Sequence, residues 1–359
     1  MDIPGDILEA IFLHLPIFDI ARSRAVCRFW TAVLRSRLFL LKLAESNTKD
    51  WLALFSYTPA QEKRELVLYN DVSCSWHTVS LDFLPTEFTD LIAADGGLMC
   101  IAGQSHGIYK VCVCNPVSRT YKILPSIDEV PHSPAGAMTV NKHKIDEVCS
   151  YEIAVPLVDA IAFISSSHPT WVRLSTQFSM SRNPVIYNGV LYALEKRRSP
   201  YCCFVYTGRY DLFAGEVWRL FRPYRVAMLN VLRQPCLLQS DGCFIVVGGV
   251  GLYLPDSYIA WTILKLDLTT WECSKAVTMP REICKHFDFK EDISISTQNG
   301  RVYFFNKATS AFLVCKLADG RGRGASWQWV EDCPSSSSSS NTTLLSKGFV
   351  LKLGLDRCS

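Results

Sequence analysis

The sequence predicts an α + β multidomain chain. A small helical domain fills residues 1–45, and an all-β domain fills residues 46–359 as a ring of about six four-stranded units. Three observations predict this. Near the N-terminus apolar residues recur at the helical period. From about residue 49 the pattern changes to short β-rich runs broken by turn residues. Aromatic residues that close apolar hairpins then recur every roughly 45 to 58 residues, the span of one four-stranded propeller blade with variable loops.

The helical part comes first. Pro4 stands at a helix start, where its missing N–H costs nothing, and Asp6 and Glu9 favour the positive end of the helix dipole. Ile7, Leu8, Ile11 and Leu15 form one apolar stripe, and Pro16 ends that helix. Asp19 is placed to cap a second helix carrying Ile20, Ala21, Ala25 and Val26. Phe29, Trp30, Val33 and Leu34 make a third face, and Leu38 to Leu43 continues in helical style. Helices this short, within about forty residues, cannot bury all that apolar surface among themselves. The excess calls either for a partner surface or for packing on the rest of the chain. Periodicity leaves both open.

The residues themselves go further. Ile3-Pro4-x-x-Ile7-Leu8-x-x-Ile11-x-x-x-Leu15-Pro16, then Ile20, Arg22 and Val26-Cys27-Arg28-Phe29-Trp30, resemble the F-box motif over residues 2 to about 40. Ile3 stands where leucine is commoner, a volume-conserving swap. The motif opens at residue 2 without its usual leading segment, which suggests a truncated start. The resemblance implies docking to the small adaptor subunit of an SCF ubiquitin ligase and, through it, to the cullin scaffold. Carried over by position, Pro4, Ile7, Leu8, Ile11, Leu15 and Pro16 would lie on or near the adaptor surface. Val26, Cys27 and Trp30 would hold the helices together and partly contact it.

In the second part three hairpins align: Leu66 to Asp71 closing on Trp76, Val111 to Pro116 closing on Tyr121, and Ile263 to Asp267 closing on Trp271. Each has an apolar strand, an Asn or Asp that starts the turn, and an aromatic on the return strand. Trp171, Trp218 and Trp327 or Trp329 continue the series, and all these aromatics are expected to be structural. Asp95-Gly96-Gly97 and the run ending Gly248-Gly249 would turn tightly against a neighbouring sheet, since glycine has no Cβ. Strand, glycine pair and later tryptophan resemble the kelch repeat. Val113 to Tyr121 with Leu124-Pro125 is similar to plant F-box-associated kelch domains in particular. The segment Glu147 to Trp171 lacks a glycine pair. Ser335 to Ser340 reads as a flexible loop. The strand-like Leu344 to Leu353 is placed to close the ring by pairing into an early blade.

Composition narrows the chemistry. Hydrophobic residues make up 49% of the 359 and charged residues 20%, the balance of a globular protein with a large core. A formal charge of +3 supplies no field to hold nucleic acid or an anionic membrane. The basic run Arg22, Arg24, Arg28, Arg35 and Arg37 reads as a solvated helix face. The 15 cysteines lie largely in apolar runs such as Val111-Cys112-Val113-Cys114, as small buried hydrophobes in a reducing compartment do. The acidic N-terminus does not read as a signal peptide, and no apolar run approaches the roughly 18 residues of a membrane helix. The expected location is nucleus or cytoplasm. No Cys-x-x-Cys pair occurs and the seven histidines are scattered, so no metal, cofactor or catalytic residue is expected. Gly248-Gly249-Val250-Gly251 lacks the Lys-Ser or Lys-Thr of a phosphate loop.

The resemblance implies a substrate-recognition subunit rather than an enzyme, its helical module docking the adaptor and its propeller binding an unidentified protein target for ubiquitination. The alternative is a propeller enzyme of the oxidase, sialidase or lyase type with an accessory helical cap. Candidate target contacts are Arg197, Arg198, Arg222 and Tyr253, in the irregular segments Glu195 to Tyr201, Phe221 to Arg225 and Gly251 to Ser257, because Arg and Tyr are enriched at interface hot spots.

Overall fold

The structure is a computed structural model. It describes residues 3–46, 50–70, 74–129, 131, 136–142, 149–158, 160–175, 184–196, 203–209, 219–220, 224–225, 232–240, 242–250, 260–270, 272–287, 293–307, 309–317, 325–330 and 344–352.

Four helices open the chain: α1 (Gly5–Leu13), α2 (Ile17–Ser23), α3 (Arg28–Leu34) and α4 (Arg37–Ser46). Pro4 and Pro16 are the N-caps of α1 and α2, in the extended backbone that a fixed proline φ favours. Asp19, expected as a cap, instead lies in the first turn of α2 and pairs with Arg22 at 3.1 Å. Pro16 starts that helix three residues earlier than the Asp19 reading placed it. Cys27 caps α3, its Sγ accepting from the Trp30 N–H at 3.4 Å. Inside the module Phe12 meets Trp30 and Phe39 edge-on, at 5.0 and 6.2 Å between ring centroids. Lys42 ties α4 to α1 through Glu9 at 2.8 Å.

The rest is a ring of antiparallel sheets. The first contains β1 (Asp50–Thr58), β2 (Lys63–Asn70) and β3 (Ser75–Ser80), with β25 (Leu344–Lys352) paired along β1. The C-terminal strand therefore closes the ring, as the sequence predicts. Four further sheets have four strands each: β4 to β7 (Phe88–Asp95, Leu98–Ser105, Ile108–Asn115, Thr120–Ile123), β8 to β11 (Ala137–Lys142, Cys149–Pro156, Ala160–Ser165, His168–Ser175), β17 to β20 (Arg233–Ser240, Cys243–Val250, Ala260–Leu266, Cys273–Thr278) and β21 to β24 (Ile293–Gln298, Arg301–Asn306, Phe312–Lys316, Ser326–Val330). The remaining sheet, β12 to β16 (Val185–Tyr187, Val190–Lys196, Cys203–Arg209, Arg219–Leu220, Tyr224–Arg225), departs from the four-strand rule because two short pieces share the outer side of β14. Strands β25, β4, β8, β12, β17 and β21 lie innermost, each beside the next around the ring.

Each junction between neighbouring sheets holds its own apolar cluster. Leu52 and Leu54 pack with Tyr303, Phe305 and Phe312 on one side of the first sheet. Ala53 and Phe55, the alternate residues of the same strand, pack with Phe88, Met99 and Cys112 on the other. In the second sheet Cys112 and Cys114 face one junction while Val111 and Val113 face the next. Side chains alternate across a strand, so a strand buried on both faces reads as a continuous apolar run. That is why the cysteines sit in such runs.

Turn chemistry fixes the hairpins. The Asn115 side chain accepts from the Val117 and Ser118 N–H groups at 2.8 and 3.1 Å, and Asp267 accepts from Thr269 and Thr270 at 2.7 and 3.2 Å. The segment without a glycine pair still forms an ordinary blade, its turn built on Ser165, whose hydroxyl accepts from the His168 N–H at 3.2 Å. Gly96 has φ +56°, and a Cβ there would lie 2.7 Å from Cβ of Val140 in the next sheet. The expected close approach thus holds for that pair. Gly248 and Gly249 differ: they sit inside β18, opposite Thr262 and Trp261, and make no turn.

The closing aromatics also need correction. Tyr121 and Trp329 are exposed, and Trp76 is half-buried against Tyr69 and Phe312. They ride on outermost strands, which have a neighbouring sheet on fewer sides. Among the described residues the buried tryptophan is Trp261, 2% exposed, on the third strand of its blade; its indole N–H donates to the Phe287 carbonyl at 3.0 Å. Trp218, Trp271 and Ser335 to Ser340 lie outside the described residues.

Candidate functional site

The helical module leaves apolar side chains uncovered on α1 and at the corner between α2 and α3. Along α1 the inward residues are Leu8 and Phe12, while Ile7 and Ile11 point out at 51% and 46% exposure. Ile3 just before the helix is exposed too. At the other side, the corner between α2 and α3 leaves Val26 at 61% and Phe29 at 52%. A Cβ placed on Gly5 would lie 3.9 Å from the tip of the Phe29 ring. Phe29 therefore bridges the α2–α3 corner to the start of α1. The corner is pinned from within, because the Thr31 hydroxyl donates to the Arg24 carbonyl at 2.6 Å and Arg24 donates to the Leu34 carbonyl at 3.4 Å.

The sequence-predicted contact residues divide accordingly. Pro4, Ile7, Ile11, Pro16, Val26 and Cys27 are exposed on the module. Leu15 and Trp30 are half-buried against its core. Leu8, 2% exposed, is a core residue and has no surface to offer. Val26 and Cys27, expected to hold the helices together, stand outside the core; Trp30 performs that role through Phe12. Of the third face read from the sequence, Phe29 is exposed while Leu34 is buried.

The same buried cluster runs from Leu8, Phe12, Leu34 and Leu43 of the module into Ala53, Phe55, Leu66 and Leu68 of the first sheet. Both alternatives for the excess apolar surface are thus realised, on different residues. Part packs on the ring, and part remains open.

The two ends of the ring also differ. One end carries the connections between first and second and between third and fourth strands, and β1 begins there, next to the end of α4. Two of its turns, Asn188-Gly189 and Asn299-Gly300, are short and polar, with left-handed φ at all four residues. At the opposite end lie the connections between second and third strands, and there Ile108, Val158 and Val250 are exposed, with Ile123 at the end of β7. Lys196 and Cys203, and Val250 and Ala260, are strand ends on this same side. Of the predicted target contacts, Arg197, Arg198, Arg222 and Tyr253 all lie outside the described residues. Their segments are shorter than the sequence reading made them, since Glu195 and Lys196 belong to β13 and Tyr224 and Arg225 to β16, where ladder pairing takes them out of the loops.

Buried thiols are held away from reactivity. Desolvation pushes Cys315 up to about 12 and Cys273 up to about 11, so neither is a thiolate at neutral pH. Burial likewise raises the Glu152 carboxyl on β9.

Comparison with known proteins agrees with this division. Residues 1–42 match the F-box domain family. SKP1-interacting partner 15 of Arabidopsis thaliana is 24% identical over 366 aligned positions, covering 92% of this chain and 92% of that protein. An F-box/kelch-repeat protein of Arabidopsis thaliana is 22% identical over 362 positions, covering 92% of this chain and 84% of that one. Among solved structures, a chain of the nidogen/laminin complex superposes with a TM-score of 0.50 at 11% identity, over 86% of this chain and all of that chain, a likeness of fold alone. The chain joins an N-terminal F-box domain to a β-propeller.

Proposed function

We propose that the protein is a non-catalytic recognition subunit. Its helical module docks an SKP1-type adaptor, which links it to a cullin scaffold, and its ring holds a protein target for ubiquitination. The observation that carries the reading is the set of uncovered apolar side chains Ile3, Ile7, Ile11, Val26 and Phe29, within a segment that matches the F-box domain. An isolated module leaving that much apolar surface in water is unfavourable, and a partner groove that takes it up supplies the free energy of association. Catalysis then comes from proximity: the subunit raises the local concentration of target lysines near a ubiquitin-charged enzyme supplied by others. The name of the relative, SKP1-interacting partner 15, supports the choice of adaptor.

Target recognition is assigned to the end of the ring that exposes Ile108, Ile123, Val158 and Val250, with Arg197, Arg198, Arg222 and Tyr253 as sequence-based contacts. That end lies away from the start of β1, so a target bound there does not compete with the helical module for space.

Co-purification tests the docking. In the full-length chain, Ile7→Asp with Phe29→Asp should reduce adaptor capture by about a hundredfold or more, as loss of two central apolar contacts does. The thermal midpoint should hardly change, since both side chains are exposed. Unaltered capture would place the interface elsewhere.

A further inference from the structure

We propose that the partner surface met by the helical module is acidic at its border: an apolar groove fringed by carboxylates that face Arg28 and Arg35. This rests on the docking reading above and names the chemistry of the surface docked.

Charge in the module is segregated. From Ile20 to Ala44 there is no Asp or Glu, while Arg22, Arg24, Arg28, Arg35, Arg37 and Lys42 fall in that stretch. Several of these cations are accounted for within the chain. Arg22 pairs with Asp19 and Lys42 with Glu9. Arg24 is turned inward and donates to the Leu34 carbonyl. Arg28 and Arg35 are different, being exposed and having no carboxylate partner among the described residues. They stand seven positions apart, about 10 Å along the helix direction and on one face of α3, with exposed Ala32 between them.

Position makes the charge informative. Arg28 directly precedes Phe29, and Val26 lies two residues before it, so the basic strip borders the exposed apolar corner. Two like charges with no counter-charge contribute nothing to the fold, and their mutual repulsion opposes it slightly. An ordinary solvated helix face mixes both signs. A one-signed strip beside an uncovered apolar face instead fits a partner of opposite sign. Rim charges of this kind act mainly on the rate and register of association, and the apolar contacts act on its lifetime.

The test measures association of the full chain with a purified SKP1-type adaptor at low and physiological ionic strength, where the Debye length is about 30 and about 8 Å. For the wild-type chain the association rate should fall about tenfold across that range. Arg28→Glu with Arg35→Glu should lower the low-salt rate about tenfold, flatten the salt dependence and leave the dissociation rate nearly unchanged. Arg28→Lys with Arg35→Lys should behave as wild type, because a rim charge acts at a distance rather than through a fixed fork. Association that ignores salt, or a charge-reversed chain that binds at the wild-type rate, overturns the proposal. So does a single-stranded RNA probe that loses binding on reversal while the adaptor rate is unaffected. A wild-type chain that fails to bind any adaptor refutes the docking reading itself, a distinct outcome.

Discussion

Among the described residues the helical module leaves Ile3, Ile7, Ile11, Val26, Phe29 and Leu38 exposed, while the much longer ring leaves Ile108, Tyr121, Ile123, Val158, Val250 and Trp329. The two parts bury their apolar residues by different geometries. In the ring the strands inside each blade are covered on both faces by neighbouring sheets, the outermost strands less so, and closure by β25 leaves no open junction. Four short helices have too little volume to enclose their own apolar side chains, so they share a cluster with the first sheet on one side and stay uncovered on the other. The difference teaches that exposure in the module is concentrated. In the ring it is sparse and gathers at one end.

That contrast can be broken most severely by opening the ring. Truncation before Leu344 removes β25 and exposes the edge of β1, and the expected result is aggregation instead of a soluble monomer. A monomeric product ending near residue 334 with protected amides would show that closure is dispensable.

The next largest effect separates inner from outer aromatics. Trp261→Ala should cost about 3–5 kcal/mol, with loss of folded yield. Trp329→Ala, on an outermost strand at 40% exposure and stacked on Phe287 at 5.9 Å, should cost clearly less in the same urea titration. Equal losses would contradict the assignment of the core to the inner strands.

A smaller effect concerns the ring's far end. Ile108→Ser, Val158→Ser and Val250→Ser together should weaken capture of an identified target while adaptor binding and the thermal midpoint hold. Arg197, Arg198, Arg222 and Tyr253 changed jointly to alanine should act in the same direction. Retained capture in both sets would remove this end from consideration.

The smallest is a pH effect at Glu152. Burial raises its folded-state pKa, so the folded chain binds a proton more readily than the unfolded chain and stability from this group falls as pH rises through that value. Glu152→Gln should therefore raise the thermal midpoint at neutral pH. The gain should vanish toward the unfolded carboxyl value of about 4.3. A gain of equal size at both pH values would assign the effect to packing.

Much of this was legible in the chain because local chemistry dictated it. The Pro4 cap, the Asn115 and Asp267 turns and the closing strand were each readable from residue type and spacing. Asn188-Gly189 and Asn299-Gly300 were equally readable hairpin turns that tryptophan spacing distracted from. What failed was depth. Whether Trp76, Trp261 or Trp329 is buried depends on which strand of a blade it occupies, and that follows from ring closure rather than from spacing. Leu8 was read as surface when the α1 stripe divides into Leu8 and Phe12 inside and Ile7 and Ile11 outside. For that reason a Leu8 change, or removal of the module with its share of the common cluster, tests folding as much as docking.

Amide hydrogen exchange of the full chain, alone and with a purified SKP1-type adaptor, tests the central claim most directly. The account predicts new protection confined to α1 and to the corner from Arg24 to Phe29, with exchange in the blade strands unchanged. Protection appearing on the outer strands of the ring, with α1 and the corner exchanging as before, would contradict it.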